Sequence, residues 1–290
     1  MFDIPQPLEP DPNAYIESCP IVEMQDSAYD LEYIISIFYD NIRHHMREPM
    51  KFKDIAALLR LGKKYEIGHF QDEALRRLRH DLPSTYNTWE AQLGWVYCQD
   101  VCQILEVWNF YPQIISLAHE IGLETILPAA YLCLIQSQSV ENILQGKFQW
   151  VGQTCNRSVQ ESDQETTIYS FPQSAVHACL IGRDKLLCEI QKTYIDWFQT
   201  DVVLPGEDCT TPSECQQEKA ETLASLTGMK FFDDIKAMDF DTDFNTETSV
   251  CSSCKRSVKD VIQQNRMEIW SRLPSIFGLP DWEDLEDFDM

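Results

Sequence analysis

Eleven cysteines are spread over the 290 residues, and four of them are spaced for chemistry. Cys251-Ser252-Ser253-Cys254 is a C-x-x-C, and Cys209 and Cys215 stand upstream with five residues between them. A short loop holds two thiolates on one side of a metal, so two such loops can close a tetrahedral zinc site. Cys209, Cys215, Cys251 and Cys254 are therefore the candidate metal ligands, and structural zinc is the cofactor they would take. Two other readings stay open: reduced, partly buried cysteines without metal, and a disulfide or redox pair. No thioredoxin-like βαβ pattern surrounds the C-x-x-C to favour the redox reading.

Other constellations are weaker. Cys98 and Cys102, at i and i+4, read as helix-core packing rather than ligands. His177-Ala178-Cys179 sets a base and a thiol side by side in sequence, but catalytic pairs meet in space and need an oxyanion site as well. The six histidines form no H-E-x-x-H. Asp239, Asp241 and Asp243 imitate the start of a calcium loop, yet Phe244 and Val250 stand where the loop needs glycine and a bidentate glutamate. Glycine is scarce, 10 of 290, against a usual share of roughly 7 %. There is no G-x-G-x-x-G and no G-x-x-x-x-G-K-[ST], so phosphate-cradling enzymes are disfavoured. No catalytic residue is assigned.

These residues must be positioned by helices. Five prolines between Pro5 and Pro20 keep the start extended, and Ile21-Val22-Glu23-Met24 reads as a short strand. Ser27, with Asp30 three residues on, opens a helix whose apolar face is Leu31, Ile34, Ile35 and Phe38. A second helix, about 52–65, turns in Phe52, Ile55, Leu58, Leu59 and Tyr65. After a break at Glu66–Gly68, a third turns in Phe70, Ala74, Leu75 and Leu78, with its arginines outward. Residues 86–110 read as helical. Stripes at Ile114, Ile115, Ala118 and Ile121, and at Leu127, Ala130, Tyr131 and Leu134, predict two more helices, with Pro128 tolerated in a first turn. Arg183 to Phe198 predicts another, with Leu187, Ile190, Tyr194 and Trp197 on one face. A last helix, about 258–273, leads into an LPS-x-FGLP turn flanked by Trp270 and Trp282, which read as a clasp.

The acidic-aromatic run 231–249 and the tail 281–290 read as solvated, flexible surface. With 44 % apolar residues the chain can bury a sizeable core. The formal net charge is −24, which repels phosphate backbones. The one basic stripe is Arg76, Arg77, Arg79 and His80, read as a solvated helix face, so no nucleic-acid partner is expected. The start lacks a basic and apolar leader, and the apolar region 114–135 is interrupted by His119, Glu120, Glu124 and Pro128. An intracellular protein, cytoplasmic or nuclear and not in a membrane, is expected, with reduced cysteines. The class is mainly α.

Three stretches together resemble the BTB/POZ proteins of mushroom-type fungi. The first is Phe2-Asp3-Ile4-Pro5-Gln6-Pro7 followed by Cys19-Pro20-Ile21-Val22-Glu23-Met24-Gln25-Asp26-Ser27-Ala28-Tyr29-Asp30-Leu31, with Phe38-Tyr39-Asp40 where that family carries a helix-ending tyrosine. The second is Leu58-Leu59-Arg60-Leu61-Gly62-Lys63-Lys64-Tyr65-Glu66-Ile67. The third is Leu127-Pro128-Ala129-Ala130-Tyr131, together with the closing run from Ile269 to Trp282. The related proteins look similar at the cysteines too, with one pair before and one after a variable insert.

The resemblance implies a partial BTB/POZ fold over 1–82, with one or two short strands. It is followed by a helical extension over 83–150, a polar linker over 151–170, and a helical C-terminal region over 171–290 carrying the cysteine pairs and acidic tail. The family's first strand and helix, which supply most of its dimer interface, would precede Met1, which puts homodimerisation in doubt. The implied function is a non-enzymatic adaptor that binds a protein partner, a cullin-type ubiquitin ligase or another BTB protein, through residues 31–80. The alternatives are a transcription-linked regulator acting through its acidic segments, and a thiol-dependent enzyme.

Overall fold

The computed structural model describes residues 15–16, 19–21, 23–39, 48–93, 102–105, 107–149, 166–168, 171–190, 192, 203–228 and 249–288. Among them the fold is mainly helical, as the periodicity predicts. The helices are α1 (Ala28–Tyr39), α2 (Phe52–Lys64), α3 (Gly68–Asp81), α4 (Tyr86–Leu93), α5 (Tyr111–Ile121), α6 (Leu127–Ser137), α7 (Val140–Gln145), α8 (Gln173–Ile190), α9 (Pro212–Gly228), α10 (Ser252–Ser271) and the short α11 (Leu273–Ile276). The strands are very short. Tyr15–Ile16 (β1) pairs antiparallel with Cys19–Pro20 (β2), and Lys147–Gln149 (β3) with Thr166–Ile168 (β4).

Local sequence explains the helix ends. Ser27 caps α1, its hydroxyl 3.5 Å from the Asp30 N–H. After α2 the Ile67 N–H reaches back to Gly62 O at 2.9 Å while Glu66 adopts φ 56°. That is a Schellman ending built on glutamate, with Gly68 left to begin α3. Gly122 closes α5 in the left-handed region at φ 71°. Pro128 sits in the first turn of α6, where its missing N–H costs nothing. Ser139 caps α7 by accepting from Asn142 N at 3.1 Å.

One apolar cluster runs from Ile34 on α1 to Phe277 beyond α11. It crosses residues 82–83 and includes side chains on both sides of the 151–170 stretch. α2 lies at its centre, packed against α1, α3 and α5, with Ile55, Ala57 and Leu59 wholly buried. α8 packs against α6, α7, α10 and α11. Gly182 makes the α8–α11 approach feasible, because a Cβ there would stand 2.2 Å from Cδ1 of Phe277.

Several expectations are corrected. Ile21, Glu23 and Met24 are not strand; the pairing lies earlier, at β1 and β2. Residues 102–105 are not helical, so Cys102 is not on a helix. The Asp81 carboxylate instead accepts the N–H groups of Gln103 and Ile104 (2.9 and 2.8 Å), and Met50 and Ile104 form a parallel bridge. Residues 166–168, inside the stretch read as a linker, form β4. Ile35 and Phe38, read as part of an inward face, are 51 % and 59 % exposed, and only Ile34 of that set is buried. α8 begins ten residues before the expected Arg183.

Arg77 is the sharpest correction. It does not face outward but is 0 % exposed, donating to Glu73 Oε1 at 2.7 Å, to Glu48 O at 2.7 Å and to Gln103 O at 3.2 Å. The other members of the basic stripe also have acidic partners: Arg76 with Glu73, Arg79 with Asp287, His80 with Asp81. The tail is no free solvated segment through residue 288. Asp287 is tied to Thr125, and Glu124 N donates to Glu286 O at 3.1 Å. The proline-rich start to Pro12, Cys98, the polar run 152–165, Tyr194, Trp197 and the acidic-aromatic run to residue 248 lie outside the described residues.

Candidate metal centre

The two cysteine pairs are carried by equivalent devices, a loop running into a helix N-terminus. In the first, Gly206 O accepts the Cys209 N–H at 3.1 Å, and Cys215 lies in the opening turn of α9. In the second, Cys251 is the N-cap of α10 and Cys254 falls in its first turn. Helix N-termini present unpaired N–H groups and a positive dipole end, which suit thiolates.

The structure brings all four predicted ligands together. Their Sγ atoms lie within 4.8 Å of one another, and Cys209 Sγ is 3.9 Å from Cys251 Sγ. Four sulfurs at Zn–S distances of about 2.3 Å in a tetrahedron stand roughly 3.8 Å apart. The quartet is thus only slightly wider than a closed zinc site, and its donor set is that of a soft, tetrahedral metal. Cys215 and Cys254 are buried, at 0 % and 1 % exposure, while Cys209 and Cys251 are half-buried.

N–H donors tie the halves to each other. Cys251 N points to Cys215 Sγ at 3.4 Å, and Gly206 N points to Cys254 Sγ at 3.4 Å. The Thr211 hydroxyl lies 3.5 Å from Cys215 Sγ. Each half therefore supplies a backbone donor to a sulfur of the other, the second-layer pattern that orients metal ligands.

The thiols respond unequally. The backbone N–H of Cys254, then the N–H and hydroxyl of Thr210, draw the Cys251 thiol down to about 5. Burial pushes Cys254 up to about 12 and Cys209 upward as well. Neighbouring thiolates repel, so without a cation one sulfur ionises at the expense of the others. A divalent metal reverses this, since a coordinated thiol is deprotonated outright.

Among the described residues, the His177–Cys179 pair does not assemble. Cys179 is fully buried and burial lifts its thiol to about 12, whereas His177, two residues away on α8, faces solvent. Residues two apart on a helix point to different sides.

The closing run does form a clasp. Trp282 stacks on Trp270 with ring centroids 5.8 Å apart and planes at 14°, and its Nε1 donates to Trp270 O at 2.9 Å. Trp270 Nε1 in turn donates to Ser84 O at 3.0 Å. α10 thus carries the second cysteine pair at its N-terminus and the clasp at its C-terminus. Sequence reasoning missed the Asp26 link: Lys64 Nζ and Tyr65 OH both donate to Asp26, each at 2.6 Å. Tyr29 OH likewise donates to Asp54. No sequence spacing marks these pairs.

Among the described residues no helix is long and apolar enough to cross a membrane. No protein-family model, curated protein or solved structure matches the chain.

Proposed function

We propose that this chain is a non-catalytic adaptor of the BTB/POZ type that binds a protein partner through α1–α3, and that its C-terminal region is fastened by a structural zinc ion. The observation that carries the binding role is the outer face of α1. Ile35, Phe38 and Tyr39 are 51 %, 59 % and 84 % exposed on a helix whose other side packs on α2, with one side of the Phe38 ring against Phe70 of α3 at 5.6 Å between centroids. A contiguous apolar strip on a firmly seated helix suits helix-face recognition. The proposed partner is a cullin-type ubiquitin ligase or another BTB protein, following the resemblance. A nucleic-acid partner is disfavoured by the net charge of −24 and by the carboxylates that already pair the basic stripe. The proposed compartment is cytoplasmic or nuclear.

The test uses the full chain with a purified cullin amino-terminal domain and, separately, a purified second BTB protein. The expected result is saturable binding to one of them, weakened at least tenfold by the double variant Ile35→Ser/Phe38→Ser with unchanged circular dichroism. A folded wild-type chain that binds neither would overturn this reading.

Zinc is assigned to Cys209, Cys215, Cys251 and Cys254 because four thiols of this geometry form a closed donor set, with no fifth ligand grouped with them among the described residues. Closed sets serve structure rather than catalysis. When bound, the ion would neutralise the thiolates and lock the N-termini of α9 and α10 together. Burial and a raised pKa disfavour Cys179 as the nucleophile of a His177–Cys179 pair.

A further inference from the structure

The four sulfurs are not equivalent in their exposure. Cys215 and Cys254 are shut off from solvent, whereas Cys209 and Cys251 are half-exposed and form the 3.9 Å pair. They lie 42 residues apart in sequence, so a bond between them would join the two loop–helix halves covalently. We propose that Cys209 and Cys251 form an oxidation-sensitive pair, and that a peroxide converts them to a disulfide and expels the metal. This rests on the zinc reading given above.

The chemistry balances with hydrogen peroxide as oxidant. One outer thiolate attacks a peroxide oxygen. The O–O bond breaks, a sulfenic acid forms, and the departing hydroxide takes a proton to become water. The second outer thiolate attacks that sulfenyl sulfur, forming the S–S bond, and the released hydroxide leaves as a second water. The two sulfurs give up two electrons, hydrogen peroxide accepts both, and solvent supplies two protons. Zinc remains divalent throughout. It loses two of its four ligands and dissociates, and Cys215 and Cys254 regain protons.

Burial and backbone setting favour this pair over the C-x-x-C pair. A disulfide needs sulfurs at about 2.05 Å, so the outer sulfurs must approach by roughly 1.9 Å. Cys209 lies on an irregular loop that can supply the movement. Cys254 sits inside the first turn of α10, buried, with its sulfur facing Gly206 N. Oxidant also reaches the half-exposed sulfurs first, since susceptibility follows thiolate character and access.

The experiment uses the full-length chain purified under reducing conditions, with zinc measured per chain. One equivalent, then a small excess, of hydrogen peroxide is added. Released zinc is followed with a chromophoric chelator, and unreduced peptides are mapped by mass spectrometry. The expected result is a fall from one zinc per chain to below a tenth, with a Cys209–Cys251 linked peptide accumulating in step. Dithiothreitol and added zinc should restore the starting state, and Cys188→Ser, which removes an exposed cysteine outside the quartet, should behave as wild type. Zinc retained under excess peroxide, or released with a Cys251–Cys254 link instead, overturns this inference and leaves the zinc reading standing. A chain that carries no zinc and takes none up overturns both.

Discussion

The carboxylate of Asp287 accepts both the backbone N–H (3.0 Å) and the hydroxyl (2.6 Å) of Thr125, 162 residues earlier in the chain. It also holds Arg79 at 2.6 Å, and its side chain is only 5 % exposed. A residue in a strongly acidic tail thus serves as a fixed acceptor ahead of α6. Asp287→Ala should cost about 1–3 kcal/mol, because it strands the Thr125 donors. Chemical denaturation would measure this; an unchanged midpoint would mean that the tail is only loosely seated.

Gly182 faces the ring of Phe277 with no room for a methyl group. In an exposed helix, Gly→Ala stabilises by up to about 1 kcal/mol. Here the overpacking cost of about 1–3 kcal/mol should win, and Gly182→Ala should lower the melting temperature. The double variant Gly182→Ala/Phe277→Leu should recover part of the loss. A rise in melting temperature for the single variant would show that α11 can move away freely.

Much of this arrangement is legible in the sequence, and the exceptions share a cause. The inward faces of α2 and α3 follow from spacing alone, since Ile55, Leu58, Leu59, Leu75 and Leu78 need only a helix and a core. The cysteine quartet was legible as two pairs, because each pair is local; that they meet is tertiary information. Arg77 reads as one of a solvated stripe because Arg76 and Arg79 stand beside it in sequence, while its backbone acceptors, Glu48 O and Gln103 O, lie 29 and 26 residues away. Asp287 and residues 102–105 fail the same way, through carboxylate-to-backbone bonds over long separations. Ile35 and Phe38 show the limit of periodicity. It identifies an apolar face but not whether the chain supplies its cover.

Arg77 predicts a further consequence. Glu73 is partly desolvated, which alone would raise its pKa, but its bonds to Arg76 and Arg77 hold it below the ordinary carboxylate value. Removing the buried guanidinium with Arg77→Met should cost about 3 kcal/mol or more, since Glu48 O loses the Arg77 donor while Glu73 and Gln103 O each lose one of their donors. The depressed Glu73 pKa means that its contribution is present above its unfolded pKa and fades as pH falls through the native one. The difference between wild type and Arg77→Met should therefore shrink in acid. An equal difference at pH 3 and pH 7 would contradict the pairing.

His119 gives a second pH window. Burial holds its pKa below the ordinary value of 6.5, and its Nε2 lies 2.7 Å from the Tyr131 hydroxyl. The unfolded chain binds this proton more readily than the folded one. Stability from His119 is thus intact above pH 6.5 and declines as pH falls towards the native pKa. His119→Gln should flatten the wild-type decline between pH 7 and pH 5. Parallel curves would show that the imidazole is not held neutral.

The most direct test is elemental analysis of the full-length chain beside its thermal stability. The account predicts one zinc per chain, lost in Cys251→Ser, and a fall of several degrees in melting temperature when a chelator removes the ion from wild type. Absence of zinc from reduced protein, with no uptake on titration and no stabilisation by added zinc, would contradict it.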